Sequence, residues 1–298
     1  MRTSPDCYPC FVRQAQKAAK MISSDAAVHE KIVRDVLSWT NELNEEATPP
    51  LLAQLIHRRL RELTGSIDPY EHAKSIHNQL ALRLLPELRG EIEKSSDPLM
   101  TAVRLAIAGN IIDLGAGNDV SESDVRQSIH QALTEPFADE QEEFRQSVES
   151  ASDILYLADN AGEIAFDRLL IEQLLPKKIT LAVRGAPILN DATIVDARAV
   201  GLHELVEIID NGSDAPGTIL EDCNSRFIDR FLEADVIIAK GQGNYETLSD
   251  TPYEVYCLFK AKCPVVAAHV GLPVGTQVLM RSRPGFSQLK YGRRGDAK

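Results

Sequence analysis

The feature that most constrains this fold is an alternation of short apolar runs and helical stretches after Ser150. Short apolar runs bounded by polar residues are typical of strands that are buried on both faces of a parallel sheet. The predicted strands are residues 153–158, 179–184, 205–209, 235–239 and 255–259. Helical stretches lie between most of them, and this alternation predicts a mostly parallel sheet with helices on its faces.

The chain before Ser150 has helical periodicity and no useful two-residue alternation. Apolar residues recur three and four positions apart from Phe11 to Ala19, and Pro49-Pro50 is typical of a helix start. We therefore predict an α/β fold with an N-terminal helical region, residues 1–150, and a C-terminal α/β domain, residues 151–298. No strand is expected before residue 150.

Polar residues follow each predicted strand. The segments concerned are Asp159 to Glu163, Arg184 to Asp191, Asp210 to Gly217, Lys240 to Asn244, and Lys260. Because the carboxyl ends of parallel strands meet at one edge of a sheet, we expect these segments to lie together there. Turn and N-cap preferences explain Asp159 and Asn160 taken alone. They do not explain two lysines at matching strand ends beside acidic loops, so the pattern favours a site.

The residue types in these loops predict metal-assisted phosphoryl transfer. The adjacent oxygen donors of Asp159 and Asn160 suit a hard divalent cation such as magnesium or manganese. Gly241 and Gly243 would let backbone N–H groups approach an anion, and Lys240 would supply a positive charge. A divalent cation would polarise a phosphate bound at this edge and neutralise its developing charge.

Composition excludes several other classes of function. The formal net charge is -12, with 44 acidic against 32 Lys and Arg residues, which argues against a nucleic-acid partner. No apolar stretch approaches the roughly 20 residues of a membrane span, and the N-terminus resembles no secretory signal. The 5 cysteines are an odd number, which is typical of free thiols in a reducing cytoplasm. We therefore expect a cytoplasmic protein. The sequence contains neither a Walker A loop nor a dinucleotide-binding G-x-G-x-x-G loop.

Two motifs upstream are weaker signals. Residues 111–118 resemble the first motif of S-adenosylmethionine-dependent methyltransferases, but a helix rather than a strand is predicted before them. We interpret them as a helix end and a glycine-rich turn, from which Asn110 and Asp113 could still reach the site. Cys7 and Cys10 form a single C-x-x-C without the second pair that a zinc site needs, so a structural or adventitious thiol pair is favoured over a catalytic one.

Four motifs in the same order resemble the damage-control phosphatase family, formerly a domain of unknown function. They are Asp-Asn-Ala-Gly-Glu at 159–163, Arg-Gly-Ala-Pro-Ile-Leu-Asn-Asp-Ala-Thr at 184–193, Asn-Gly-Ser-Asp-Ala-Pro-Gly at 211–217 and Lys-Gly-Gln-Gly-Asn-Tyr-Glu-Thr-Leu at 240–248. The resemblance runs over nearly the whole chain, including C-x-x-C and residues 108–113. It is similar to the stand-alone prokaryotic branch of that family.

The resemblance implies a metal-dependent phosphatase that acts on small phosphorylated metabolites, often sugar phosphates. It implies metal ligation by Asp159, Asn160 and Asp191. Ligation by oxygen atoms alone suits magnesium or manganese, and we expect cobalt or nickel to support activity in vitro. It implies that the substrate phosphate meets Glu163, Lys260 and the loop from Lys240 through Gly241 and Gly243 to Asn244. The catalytic residues would be Asp159, Asp191 and Lys240. Asp159 is either a metal ligand only or also the nucleophile.

Two other functions remain as alternatives. One is an S-adenosylmethionine-dependent carboxyl methyltransferase, an activity once proposed for a human relative. The other is a metal-dependent sugar-phosphate binding protein without turnover. Release of phosphate from a generic aryl phosphate would distinguish the phosphatase from both. No motif specifies the substrate or the oligomeric state.

Overall fold

The computed structural model of the protein describes residues 1–42, 47–111, 122–135 and 137–282. Its α-helices are α1 Tyr8–Ile22, α2 Ala26–Glu42, α3 Pro49–Thr64, α4 Glu71–Lys94, α5 Pro98–Ala108, α6 Glu122–Thr134, α7 Gln141–Ser150, α8 Glu163–Leu174, α9 Ile194–Ala199, α10 Ser225–Glu233, α11 Gly241–Leu248 and α12 Pro264–Val270. Its strands are β1 Phe137–Asp139, β2 Asp153–Leu157, β3 Lys178–Val183, β4 Glu207–Asp210, β5 Val236–Lys240, β6 Tyr256–Lys260 and β7 Gln277–Arg281.

The strands form one sheet in the order β1-β7-β6-β5-β2-β3-β4. Every neighbouring pair is parallel except β6 and β7, which run antiparallel. The predicted α/β fold with a mostly parallel sheet is therefore confirmed. The central strand β2 lies between β3 and β5, so the loops that follow these three strands emerge side by side.

The five strands predicted after residue 150 are all present, with ends shifted by one or two residues. The expectation of no strand before residue 150 is wrong, because β1 pairs with β7 at the edge of the sheet. β1 is too short to show a two-residue period, so only its tertiary pairing identifies it. The apolar run of β7 was assigned to no element.

Hydrophobic residues of β2 pack into two cores, one on each face of the sheet. Ile154 and Tyr156 belong to a core shared with α4, α5 and α8. Leu155 and Leu157 belong to a second core shared with α10, α11 and α12. Alternate residues of a strand point to opposite faces, so β2 is buried on both sides and becomes polar only where it ends. Helices of the N-terminal region cover the first face, while the domain boundary at residue 150 stays a prediction.

A membrane-spanning helix needs about 20 mostly apolar residues, and the helices concerned here are those of residues 1–42, 47–111, 122–135 and 137–282. None of them combines sufficient length with sufficient apolar character to cross a membrane.

Candidate functional site

The loops that follow β2 and β3 are joined by backbone hydrogen bonds. Asn160 and Asp191 form an isolated antiparallel bridge. The N–H of Ala161 donates to the carbonyl of Asn190 at 2.9 Å, and the N–H of Ala192 donates to the carbonyl of Asp159 at 2.8 Å. This pairing brings the side chains of Asp159, Asn160 and Asp191 to neighbouring positions, where all three are buried.

Two amides bridge the carboxylates of Asp159 and Glu163. The Nδ2 group of Asn110 donates to Oδ2 of Asp159 at 3.0 Å and to Oε2 of Glu163 at 2.7 Å. The Nδ2 group of Asn160 donates to the same two oxygens at 2.7 Å and 3.0 Å. Asn110 therefore lies in the site, as the sequence suggested, whereas Asp113 lies outside the described residues. The Oδ1 atom of Asn110 is buried without a hydrogen-bond partner among the described residues.

The glycines of the loop after β5 are explained by close packing. Gly241 has a φ of 82°, and a Cβ atom there would overlap the carboxylate of Asp159. A Cβ atom at Gly243 would overlap the carbonyl oxygen of Pro216. Gly241 thus lets Asp159 lie against the start of α11, while Gly243 lets α11 pack against the loop that follows β4.

Lys240 is fully buried beneath this edge of the sheet. Its Nζ atom contacts the carbonyl oxygen of Ala106 at 2.8 Å, Oε1 of Glu163 at 2.8 Å and Oδ1 of Asp167 at 2.5 Å. Burial lowers the pKa of the ammonium, but the two carboxylates outweigh burial and raise that pKa above its usual value. An ammonium has three N–H donors, and all three are engaged here. The geometry therefore does not match the expectation that Lys240 faces a substrate phosphate.

Asp167 is a buried carboxylate that the sequence analysis missed. Its Oδ1 atom accepts from the hydroxyl of Tyr156 at 2.8 Å, while Oδ2 has no partner among the described residues. Burial raises the pKa of Asp167 to about 6, although the neighbouring Lys240 acts in the opposite direction. Its spacing of four residues from Glu163 places both carboxylates on one face of α8, a signal that could have identified it.

Arg184 is a second residue that the candidate set omitted, although it begins the second motif. Its Nε donates to Oδ2 of Asp191 at 2.7 Å, and Nη1 donates to Oδ1 of Asn244 at 3.3 Å. Its Nη2 lies 3.8 Å from Oδ1 of Asp159 and makes no hydrogen bond to the described residues. The available signal was a cation directly after β3, matching Lys240 and Lys260 at the ends of β5 and β6.

Asn244 hydrogen-bonds to other described residues of this cluster, whereas Lys260 does not. The Nδ2 group of Asn244 donates to the carbonyls of Ala158 at 3.2 Å and Lys240 at 2.7 Å, which ties the ends of β2 and β5 together. Its Oδ1 also accepts from the hydroxyl of Thr218 at 2.8 Å. Lys260 ends β6 and is half-buried, without a hydrogen bond or ion pair to the described members of this cluster.

The charged side chains of this cluster leave an excess of negative charge. The buried members are four carboxylates, Asp159, Glu163, Asp167 and Asp191, and two cations, Arg184 and Lys240. Their formal excess is therefore two negative charges, which one divalent cation would balance. Within the described ranges no three His, Cys, Asp or Glu side chains are arranged around a metal position. The predicted donor set of two carboxylates and one amide is compatible with that finding and suits a hard cation.

Asn78 of helix α4 hydrogen-bonds to the turn after β2 and to helix α9, which follows the loop after β3. The Oδ1 atom of Asn78 accepts from the N–H of Gly162 at 2.7 Å. Its Nδ2 group donates to Oδ1 of Asp196 at 3.0 Å, and Asp196 also accepts from the N–H of Thr193 at 2.9 Å. Asn78 is buried, so this one side chain joins the turn after β2 to the start of α9.

Of the two weaker motifs, the structure describes all of C-x-x-C but only the first residue of the methyltransferase-like segment. Cys7 precedes α1 and is half-buried, Cys10 is exposed, and both are free thiols. Burial raises the pKa of the Cys7 thiol. Residues 112–118 of the methyltransferase-like motif lie outside the described residues, and the element before that motif is helix α5.

Comparisons with known proteins agree with this architecture. A family model described as the damage-control phosphatase ARMT1-like domain matches residues 3–278. A damage-control phosphatase of Archaeoglobus fulgidus is 36% identical over 93% of this chain and 98% of that relative. A damage-control phosphatase of Pyrococcus horikoshii is 32% identical over 95% and 99% of the two chains. An uncharacterized protein of Methanocaldococcus jannaschii is 36% identical over 94% and 96%.

The fold is also similar to a solved structure. The crystal structure of a family protein from Pyrococcus horikoshii, described by the former domain name DUF89, superposes with a TM-score of 0.86. It is 32% identical in sequence, and the match covers 95% of this chain and 100% of that one.

Proposed function

Because this chain belongs to the damage-control phosphatase ARMT1-like family, we propose that it is a metal-dependent phosphatase of small phosphorylated metabolites, sugar phosphates among them. The names of its relatives support a phosphatase role. The metal dependence and the substrate class go beyond what those names state. The observation that carries the metal dependence is the buried convergence of Asp159, Asn160 and Asp191 within a cluster that has two excess negative charges.

Asp159, Asn160 and Asp191 would hold the cation through oxygen atoms. Oxygen donors favour magnesium or manganese, and cobalt or nickel would also be accepted by such a set. When bound, the cation supplies polarisation of a phosphoryl oxygen and offsets the charge that develops on it during transfer.

The remaining residues orient these donors. The Nδ2 groups of Asn110 and Asn160 both donate to Oδ2 of Asp159, which fixes the plane of that carboxylate. Lys240 holds Oε1 of Glu163, and the two amides hold Oε2, so the Glu163 carboxylate is also fixed. Reacting groups that are held in this way lose little freedom on reaching the transition state, which accelerates transfer.

Asp159 has two possible roles in the reaction, and they predict different products of an early step. As a nucleophile, its carboxylate would form an O–P bond to the phosphoryl group while the ester P–O bond breaks, and the leaving oxygen would take a proton from solvent to give the free alcohol. Water would then hydrolyse the resulting aspartyl phosphate to inorganic phosphate and the Asp159 carboxylate. As a ligand only, Asp159 would leave water to attack phosphorus directly. Acid quenching within the first turnover separates these roles, because only the nucleophilic role gives a protein-bound acyl phosphate that hydroxylamine cleaves.

The decisive experiment measures phosphate release from an aryl phosphate and from a panel of phosphorylated metabolites. The protein is first stripped with EDTA and then supplied with manganese, magnesium, cobalt or nickel. We expect no turnover after stripping and recovery with manganese or magnesium. Full activity in excess EDTA would contradict the metal dependence.

The same panel tests the alternatives. Methyl transfer from S-adenosylmethionine to carboxylates, without phosphate release, would favour the methyltransferase. Tight binding of sugar phosphates without release, measured by calorimetry with manganese present, would favour the binding protein. Release of phosphate from several panel members, with one hydrolysed most efficiently, is the result expected here.

A further inference from the structure

Two cationic side chains lie in the buried cluster, and they differ in how many hydrogen-bond donors they have left. The ammonium of Lys240 directs its three donors to Ala106, Glu163 and Asp167. The guanidinium of Arg184 uses Nε and Nη1, but Nη2 has no hydrogen-bond partner among the described residues. A buried N–H without a partner is unfavourable, so a ligand oxygen at this atom would remove that penalty.

The position of this Nη2 atom suits a ligand bound at the carboxylates. Asp191 holds the guanidinium at 2.7 Å and Asn244 holds it at 3.3 Å, so its plane is fixed from two sides. The Nη2 atom then lies 3.8 Å from Oδ1 of Asp159, the central carboxylate of the proposed site. A planar guanidinium that is already oriented matches the geometry of a phosphate better than an ammonium does.

We propose that Arg184, rather than Lys240, is the catalytic cation that contacts the substrate phosphate, through Nη2. The proposal rests on the phosphatase function and deepens it. Lys240 is then a positioning residue that holds Glu163 from behind. Asn244 is likewise a positioning residue, because it fixes Nη1 of Arg184 and ties together the strand ends beside it.

The charge of Arg184 acts in opposite directions on the two ligands of the site. It repels a cation that is held by Asp159 and Asp191, and it attracts a phosphate anion. Removing the charge should therefore weaken phosphate binding without weakening cation binding. If Arg184 served only to orient Asp191 through the 2.7 Å hydrogen bond, its removal would weaken cation binding as well.

The experiment measures two affinities by calorimetry on purified protein: manganese alone, and inorganic phosphate in the presence of saturating manganese. The variants are Arg184→Gln and Arg184→Lys. The matched control is Arg230→Gln, because Arg230 is a half-buried arginine that pairs with Asp153 at 2.6 Å where β2 begins, at the opposite edge of the sheet.

We expect Arg184→Gln to weaken phosphate affinity about tenfold to a hundredfold, the range for a charge-assisted hydrogen bond. Its manganese affinity should equal or exceed that of the wild type, and KM for substrate should rise. Arg184→Lys should keep part of the phosphate affinity because it keeps the charge. Arg230→Gln should change neither affinity.

An unchanged phosphate affinity in Arg184→Gln would overturn the proposal. An equal loss of manganese and phosphate affinity would also overturn it, in favour of an orienting role. If Arg184→Gln does not fold, Arg184→Lys decides, and wild-type phosphate affinity in that variant would be the contrary result. A wild type that binds phosphate through Arg184 but hydrolyses no panel member would refute the phosphatase function and the catalytic role of Arg184, and would leave only its phosphate contact standing.

Discussion

The two sides of strand β2 carry the same kinds of residues in different states. On the β5 side, Lys240 is enclosed by Glu163, Asp167 and a backbone carbonyl, and its donors are all used. On the β3 side, Arg184 faces Asp159 and Asp191 and keeps one nitrogen without a hydrogen bond to the described residues. We call these the lysine side and the arginine side. The ammonium of Lys240 therefore has no hydrogen-bond donor left, whereas the guanidinium of Arg184 keeps the one that we propose for the phosphate.

The difference follows from how many donors each cation carries. An ammonium has three N–H groups, and two carboxylates with one carbonyl match them. A guanidinium has five, in a rigid plane, and is harder to satisfy inside a protein. A buried arginine beside two carboxylates can therefore retain an N–H group that has no hydrogen bond within the protein, whereas a buried lysine with three acceptors cannot.

The largest expected effect is the loss of turnover when Asp159, a residue of the arginine side, is replaced. Asp159→Ala removes a proposed metal ligand, so kcat/KM should fall by more than the roughly hundredfold that is typical for losing an outer-shell partner. Asp159→Asn should retain part of the manganese affinity and still lose turnover if Asp159 is the nucleophile. Phosphate release and manganese calorimetry measure the two effects.

The outcomes for Asp159 are sharply separated. A normal rate for Asp159→Asn would eliminate the nucleophilic role. A normal rate for Asp159→Ala would eliminate the whole site assignment, and with it the distinction between the two sides.

The second prediction compares the stability that each cation provides. Lys240→Met leaves the buried carboxylates of Glu163 and Asp167 without their counter-ion, which should cost about 3–5 kcal/mol of unfolding free energy. Arg184→Gln should also destabilise the metal-free protein. Saturating manganese should restore Arg184→Gln towards the wild type, because the cation neutralises Asp159 and Asp191.

Urea unfolding with and without manganese checks this comparison. Manganese should not restore the stability of Lys240→Met to the same extent. The carboxylates that lose their counter-ion in this variant are Glu163 and Asp167, which are not proposed metal ligands. Equal recovery of both variants would remove the distinction between the lysine and arginine sides.

A third, smaller effect concerns Asn78, which supports the turn between the two sides. Asn78→Ala leaves the buried N–H of Gly162 without its acceptor, at a cost of about 1–3 kcal/mol in unfolding free energy. Because Asn78 also holds Asp196 beneath the second loop, manganese affinity should fall too. Asn41→Ala, an exposed position in α2, is the matched control and should change neither quantity. A variant of Asn78 with wild-type stability would show that the turn does not need this support.

The smallest effect is the pH dependence of the lysine side. Burial raises the pKa of Asp167 to about 6 in the folded protein, above the ordinary value of 3.8. The folded state then binds more protons between these two values, so this group's contribution to stability falls as pH rises through that window. Relative to Asp167→Asn, the wild type should gain about 1 kcal/mol of stability between pH 7 and pH 5.

Urea unfolding of the two proteins at both pH values measures this difference, and titration of groups common to both cancels. An unchanged difference would mean that the Asp167 carboxylate keeps its charge throughout. The lysine side would then be held together more strongly than its burial suggests.

Much of the fold could be predicted from local pattern. The runs that became β2, β3 and β5 are apolar because both faces of these strands are buried, and their polar successors lie at one edge because the strands are parallel. The short strand β1 could not be predicted, because three residues carry no period and only their pairing with β7 defines them. The close contact between Gly243 and Pro216 could not be predicted either, because these residues are far apart in sequence.

The sequence by itself determined that the polar segments after the strands lie at one edge of the sheet, because alternating strands and helices imply parallel strands. Only the tertiary structure decided which of their hydrogen-bond donors are already used within the protein. All three N–H donors of Lys240 are used by Ala106, Glu163 and Asp167. Arg184 donates hydrogen bonds to Asp191 and Asn244. Hydrogen-bond saturation depends on distances between side chains from separate elements, and no periodicity or motif spacing along a chain records those distances.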